Sequence, residues 1–345
     1  MGSLVLAAPS SASASLVAGY GTQTYYHSFT QCLAKESPSP SLLSPLDLSG
    51  SGVAPGRGAE VGDFCSPRLR AWFIVSLMNL FDLSGEVAVV IGATGALGGA
   101  MAHALGKAGA AVAVVGRNAE RGQACVESLK QQGTRAAFFT ADAMCREDLR
   151  RVEAEVAQQL GVPSVLVNAA GGNDPKATVT ADLPFEAIGL DAWRGNFDLN
   201  LVGGVLLPCQ TFGPGFCARR RGTVINVASV SAHIPLSRVV SYSAAKAAVL
   251  SLSQFLAREW APSGVRVNSI TPGFFPTEQN RRLLFNEDGS PTARAQAILN
   301  HTPMARFGAA QELGGAVVFL ASSRAAGFVT GTDLRVDGGF LSQTL

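Results

Sequence analysis

A chain of 345 residues that is 47% hydrophobic and 15% charged can bury a full core, and its 38 glycines suit a fold with many tight turns. A net charge of +2, with no long Lys/Arg block and no aromatic–basic interleaving, argues against nucleic acid as a partner. No apolar run approaches the ~20 residues of a membrane span, so a soluble, cytoplasmic protein acting on small molecules is expected.

Residues 1–77 are rich in Ser, with Ala, Gly and Pro scattered through and no sustained helix or strand period. Their charges balance, Lys35, Arg57, Arg68 and Arg70 against Glu36, Asp47, Glu60 and Asp63. Such a segment buries too little surface to offset its ordering entropy, which predicts a disordered extension. Three origins are open: an organelle transit peptide, a lineage-specific linker, or an artefact of start-site choice. Met78-Asn79-Leu80-Phe81-Asp82 reads as a natural opening for a single domain over 78–345.

From Glu86 the texture changes. Val87 to Ile91 is a short apolar run, as expected of a strand buried on both faces. Gly92-Ala93-Thr94-Gly95-Ala96-Leu97-Gly98-Gly99 follows, then a helical pattern through Met101, Leu105 and Ala108 and a second apolar run, Ala111 to Val115. Strand, glycine turn, helix, strand is the setting of a dinucleotide site, with Gly92, Thr94, Gly95, Ala96, Leu97 and Gly98 near the pyrophosphate. The alternative is a tight turn with no ligand. After the second strand comes Gly116-Arg117-Asn118, with no acidic residue to bond a ribose diol. Arg117 would pair with a 2′-phosphate, favouring NADP over NAD, unless it is only a solvated loop charge.

Glu120 to Gln132 reads as an exposed helix and Ala136 to Thr140 as the third strand, with Asp142 beyond its end as a helix N-cap. A charged helix, about Arg146 to Leu160, leads to a fourth strand ending in Asn168-Ala169-Ala170-Gly171. Small residues at that strand end, Ala170 and Gly171 with Asn168, suit a backbone passing close beneath a cofactor. Asp191 to Gly203 reads as a helix carrying Asn200, an indifferent helix former that asks for a partner. Thr223 to Ala228 is the fifth strand, with Ser229 at its end, where ligands of open α/β sheets bind.

Tyr242 opens an Ala-rich segment to Trp260 that reads as a buried helix. Tyr242 and Lys246, four apart, share one face, so the ammonium should favour the phenolate and lower the tyrosine pKa. Val265 to Ile270 is the sixth strand, followed by Pro272-Gly273 and Thr277. Ala310 to Leu320 reads as a helix and Leu334 to Val336 as the last strand. Alternating strands and helices imply a doubly wound parallel α/β sheet, Rossmann-like. The six cysteines, Cys32, Cys65, Cys125, Cys145, Cys209 and Cys217, show no CxxC and no metal-ligand spacing, so free thiols and no metal are expected.

The glycine turn, Asn168-Ala169-Ala170-Gly171, Ser229, Tyr242-Ser243-Ala244-Ala245-Lys246 and Asp337-Gly338-Gly339 together resemble the short-chain dehydrogenase/reductase family over about Phe81 to Phe340. Two positions depart from its pattern: Ile91 stands where Thr is usual, and Ala169 replaces a second Asn. The resemblance implies an NAD(P)-dependent oxidoreductase, commonly a homodimer or homotetramer. It places Asp142 near the adenine, Asn168 as a brace of the sheet, Asn200 on a water relay and Thr277, after Pro272 and Gly273, near the nicotinamide carboxamide. Ser229, thirteen positions before Tyr242, would bind the substrate oxygen, Tyr242 move the proton and Lys246 assist it.

Gly171-Gly172-Asn173, the stretch Phe274 to Arg281 and His301-Thr302-Pro303-Met304 are similar to the sugar-acid, D-mannonate oxidoreductase branch. There Arg281 would clamp a carboxylate, unless it lies on a mobile lid facing solvent. A 3-oxoacyl thioester reductase and a non-catalytic nucleotide sensor are the other readings.

Overall fold

Seven parallel strands, in the order β3-β2-β1-β4-β5-β6-β7, carry the chain in the computed structural model, which describes residues 80–278 and 280–344. The expectation for residues 1–77 lies outside the described residues. The strands are β1 (Val87–Ile91), β2 (Ala111–Gly116), β3 (Ala136–Thr140), β4 (Val165–Asn168), β5 (Gly222–Val227), β6 (Val265–Pro272) and β7 (Asp333–Val336). β1 is buried at all five positions, and its side chains alternate between two cores. Val87, Val89 and Ile91 join Leu149, Phe212 and Val249 on one face; Ala88 and Val90 join Met101, Leu105 and Val317 on the other. That alternation is why the strand reads as a continuous apolar run.

On the first face lie α3 (Arg146–Gln159), α5 (Leu207–Ala218) and α6 (Val240–Trp260); on the second lie α1 (Ala96–Lys107), α2 (Ala119–Gln131) and α9 (Gly314–Ala321). Strand order reverses between β1 and β4, which pair in register from Ala88↔Val165 to Ile91↔Asn168. The loops leaving β1 and β4 therefore diverge from neighbouring strand ends, and the crevice between them is where such sheets take a ligand.

Three regions differ from the sequence expectation. The helix expected over 191–203 is α4 (Leu190–Asn200), continued by a π-helical turn (Val202–Leu206) into α5. Pro214 lies inside α5, and Gly213 leaves room for Trp260, whose ring would stand 2.4 Å from a Cβ there. Glycine and proline are poor helix formers, but here tertiary packing overrides their propensity. The composite helix Leu190–Ala218 is long and apolar enough to cross a membrane, its apolar 18-residue stretch having a mean hydropathy of 1.3, but half of that stretch is buried inside the fold.

Second, the helix expected over 310–320 begins as a 3₁₀ turn, Ala310–Leu313, before α9. Third, the stretch after β6 folds into two short helices, α7 (Arg281–Leu284) and α8 (Ala293–His301), which the sequence reading left unassigned. Leu284, Ala295 and Ile298 pack with Val230 and Phe340 in a small third core, which seats this segment beside Ser229.

Candidate active site

The turn after β1 is shaped for a close approach. Gly92 has a φ of +86°, and a Cβ there would lie 2.7 Å from the Ala170 amide nitrogen, so conformation and neighbours both demand glycine. At Gly98 a Cβ would lie 2.3 Å from the Gly92 carbonyl oxygen. Gly95 differs from both: it is exposed, its φ is −93°, and a Cβ would come no nearer than 3.4 Å to protein. Nothing among the described residues explains that glycine, whereas a ligand resting on the turn would.

Gly95 is also the N-cap of α1, with no side-chain cap and no acidic residue in the first turn, so the N–H groups of Ala96 and Leu97 and the positive helix end are left for an anion. These residues fit a dinucleotide pyrophosphate. Thr94 packs on Gly116, where a Cβ would stand 2.7 Å from its side chain, and so joins the β1 and β2 loops. The hydroxyl absent at Ile91 is replaced by backbone bonds, Ala169 N–H to the Ile91 carbonyl and Gly92 N–H to the Val115 carbonyl, each at 2.9 Å.

Arg117 and Asp142 follow the paired ends of β2 and β3. Arg117 is exposed. Asp142 does not cap the helix after it, whose N-cap is Cys145; its Oδ1 accepts the Met144 N–H at 3.0 Å and shapes the turn. Asn168 turns its side chain into the sheet. Its side chain is buried, donating to Asn226 Oδ1 at 2.8 Å and to Cys209 Sγ at 3.5 Å, and it braces β4 against β5. Gly273 lacks a side chain because of the protein itself, since a Cβ would lie 2.7 Å from the Asp337 Cα. Pro272 before it is buried. Thr277 is half-buried, its N–H donating to Asn280 Oδ1 at 2.7 Å.

Asn200, Ser229, Tyr242 and Lys246 are brought together at the carboxyl edge. Asn200 grips the loop after β4, its Oδ1 accepting the Gly172 N–H at 3.0 Å and its Nδ2 donating to the Gly172 carbonyl at 2.7 Å. Gly171 sits between Asn200 and Lys246: a Cβ there would lie 2.6 Å from Asn200 Oδ1 and 3.3 Å from Lys246 Nζ. Only glycine lets that loop pass.

Tyr242 lies in the first turn of α6, with the Ser229 side chain near enough to its hydroxyl to favour the phenolate. Lys246 Nζ stands 5.7 Å from the Tyr242 ring centroid and donates to the Val227 carbonyl at 2.8 Å. Burial pushes the Tyr242 phenol above its ordinary value, with the Ser229 side chain opposing it. The sequence expectation of a lowered phenol is therefore corrected: burial is the larger effect on Tyr242, and the Lys246 ammonium donates to the Val227 carbonyl. Burial also pushes Lys246 down, to about 8.

Two residues escaped the sequence reading, buried Asn196 and half-buried His233. Asn196, one turn before Asn200, donates to Ser241 Oγ at 2.7 Å, and Ser241 directly precedes Tyr242. A second mid-helix asparagine four positions from Asn200 was the available signal. His233 was also missed; its Nε2 lies 3.0 Å from Asp333 Oδ2 and ties the segment after Ser229 to β7. Arg281 is exposed and stacks on Phe285, its guanidinium carbon 5.7 Å from the ring centroid. Cys125, Cys145, Cys209 and Cys217 are free, and among the described residues no cluster of His, Cys, Asp or Glu could hold a metal.

The chain is similar to known proteins in sequence and in fold. A family model described as Enoyl-(Acyl carrier protein) reductase matches residues 92–341. The uncharacterized oxidoreductase UxuB of Bacillus subtilis (strain 168) is 38% identical over 271 residues, 76% of this chain and 96% of its own. Gluconate 5-dehydrogenase of Gluconobacter oxydans (strain 621H) is 32% identical over 261 residues, 76% of this chain and 96% of its own. A solved structure with bound NAD, from Haemophilus influenza and described as a candidate D-mannonate oxidoreductase, superposes with a TM-score of 0.73 at 34% identity, covering 77% of this chain and 98% of that one. A gluconate 5-dehydrogenase from Burkholderia cenocepacia J2315, solved with NADP and tartrate, gives 0.70 at 31%, covering 78% and 100%. The chain belongs to the short-chain dehydrogenase/reductase family and is an NAD(P)-dependent oxidoreductase.

Proposed function

We propose that the protein interconverts a carbonyl and a secondary alcohol on a sugar acid of the fructuronate/mannonate kind. The observation that carries the reaction is the meeting of Ser229, Tyr242, Lys246 and Asn200 beside a glycine turn fitted for a pyrophosphate. The nicotinamide, when bound, supplies or takes the hydride. Ser229 and Tyr242 hold the substrate oxygen, and Tyr242 gives a proton to it in reduction or takes one in oxidation. Lys246 steadies the phenolate and the ribose, while Asn200 orders the path by which Tyr242 is reprotonated. Gly92, Thr94, Gly95, Ala96, Leu97, Gly98, Ala170, Gly171, Pro272, Gly273 and Thr277 line the cofactor, Asp142 faces the adenine, and exposed Arg117 favours NADP. A homodimer or homotetramer is part of this reading.

The sugar-acid class draws support from relatives named as gluconate and 2-dehydro-3-deoxy-D-gluconate dehydrogenases. It also draws on two arginines. Arg238, at a φ of +74°, leads into α6, and Arg294 lies in the first turn of α8. Their segments pack together through Ile234, Leu236, Ala295 and Ile298, and among the described residues neither arginine has an acidic partner. Burial and the charge of Arg238 push Arg294 down. A substrate carboxylate would relieve that repulsion, replacing the clamp expected at Arg281.

One rival is a 3-oxoacyl thioester reductase, which shares an acyl thioester substrate with the enoyl-(acyl carrier protein) reductase of the family model's description but reduces its carbonyl. Steady-state kinetics with fructuronate against an acetoacetyl thioester separates the two. The expected result is a higher kcat/KM for fructuronate, with Arg294→Leu raising its KM about tenfold or more. Preference for the thioester overturns the substrate reading.

A further inference from the structure

We propose that Asn196 is a positioning residue, holding Asn200, the start of the Tyr242 helix and the loop after β4 in one register. The inference rests on Tyr242 as the proton-transfer group, but not on the identity of the substrate.

Asn196 and Ser241 are both buried, at 1% and 0% exposure, so their hydrogen bonds do not compete with water. The Asn196 side-chain nitrogen donates to Ser241 Oγ at 2.7 Å and, more weakly, to Asn173 Oδ1 at 3.4 Å. Its side-chain oxygen accepts from Asn200 Nδ2 at 3.1 Å. Three segments thus meet on one amide: α4 through Asn200, α6 through the residue before Tyr242, and the loop Gly171 to Asn173. Asn200 in turn brackets Gly172 with both its oxygen and its nitrogen. The π-helical turn begins two residues after Asn200, and such turns interrupt regular helices mostly at functional sites.

A merely structural asparagine on α4 would need one partner. Here the donor goes to the Tyr242 helix and the acceptor to Asn200, so rotation of the Asn196 amide would misplace both proton-handling groups together. No Asn196 contact reaches the glycine turn that would carry the pyrophosphate. Its loss should therefore act on turnover and not on cofactor binding.

The test compares Asn196→Leu, Asn196→Asp, Ser241→Ala and the Leu/Ala double variant with Tyr242→Phe in the full chain. Asn196→Leu should lower kcat about 10- to 100-fold with an unchanged KM for cofactor, because small misplacements of reacting groups are costly. The double variant should be no worse than Asn196→Leu, since both changes remove one shared interaction. Asn196→Asp keeps the acceptor contact from Asn200 Nδ2, can accept the Ser241 hydroxyl proton in place of the lost N–H donor, and adds a negative charge beside the residue preceding Tyr242, so it should keep more activity than Asn196→Leu and move the pH–rate limb of oxidation upward. Hydrogen exchange at 171–173 and 240–243 should quicken in Asn196→Leu while exchange in the sheet stays slow.

A folded Asn196→Leu with wild-type kcat overturns the proposal, as does an unmoved pH profile in Asn196→Asp. If Asn196→Leu fails to fold, the Ser241→Ala and Asn196→Asp results decide it. Turnover surviving in Tyr242→Phe instead sinks the proton-transfer reading, which distinguishes the two failures.

Discussion

Lys246 shows a site residue working against the stability of its own fold. It is 4% exposed, and burial brings its ammonium from an ordinary 10.5 to about 8. The unfolded lysine keeps the ordinary value, so below pH 8 both states are charged and the native state carries the whole penalty. Between pH 8 and 10.5 the native lysine loses its proton first, and stability rises with pH through that window. Lys246→Met should therefore stabilise the protein at pH 7 by about 1–3 kcal/mol, after discounting the bond lost to Val227. Urea unfolding at pH 7 and pH 10 checks this. The advantage should shrink at the higher pH, and turnover should be lost at both.

At the level of elements, the glycine turn offers a contrast between two glycines three residues apart. Gly92→Ala meets a left-handed φ and a backbone contact at 2.7 Å, so it should lower Tm and cofactor affinity together. Gly95→Ala meets neither obstacle. It should leave Tm within about 2 °C of wild type while weakening cofactor binding, read by quenching of protein fluorescence.

These elements were legible in the sequence because β1, its turn and α1 obey local rules: an apolar run, small residues, then a helical period. Helix α5 was not legible, since Gly213 is glycine on account of Trp260, 47 positions later, and no local rule reports that. For the same reason Asn196 escaped notice. Its partner Ser241 is 45 residues away, and the hydrogen bond exists only once α4 and α6 have packed.

Across the whole molecule, the described fold is anchored from its first residues. Leu83 is fully buried, its N–H donates to the Ala108 carbonyl at 2.7 Å, and the Ser322 hydroxyl bonds the Leu80 carbonyl. A chain beginning at Met78 keeps all of these contacts, and its Tm and kcat/KM should match those of the 345-residue chain. The alternation of strands and helices made the doubly wound sheet readable in advance. The correction fell where tertiary burial set the chemistry, on Tyr242, whose phenol is raised and not lowered.

The central claim is that Tyr242, with Ser229 and Lys246, moves a proton at a sugar-acid oxygen while the dinucleotide binds independently at the glycine turn. Its most direct measurement pairs NADPH oxidation with fructuronate and NADPH binding by fluorescence, in the wild type and in Tyr242→Phe. The account predicts turnover in the wild type, a loss of about a thousandfold or more in the variant, and equal NADPH affinity in both. A Tyr242→Phe protein that turns over within tenfold of wild type would contradict it.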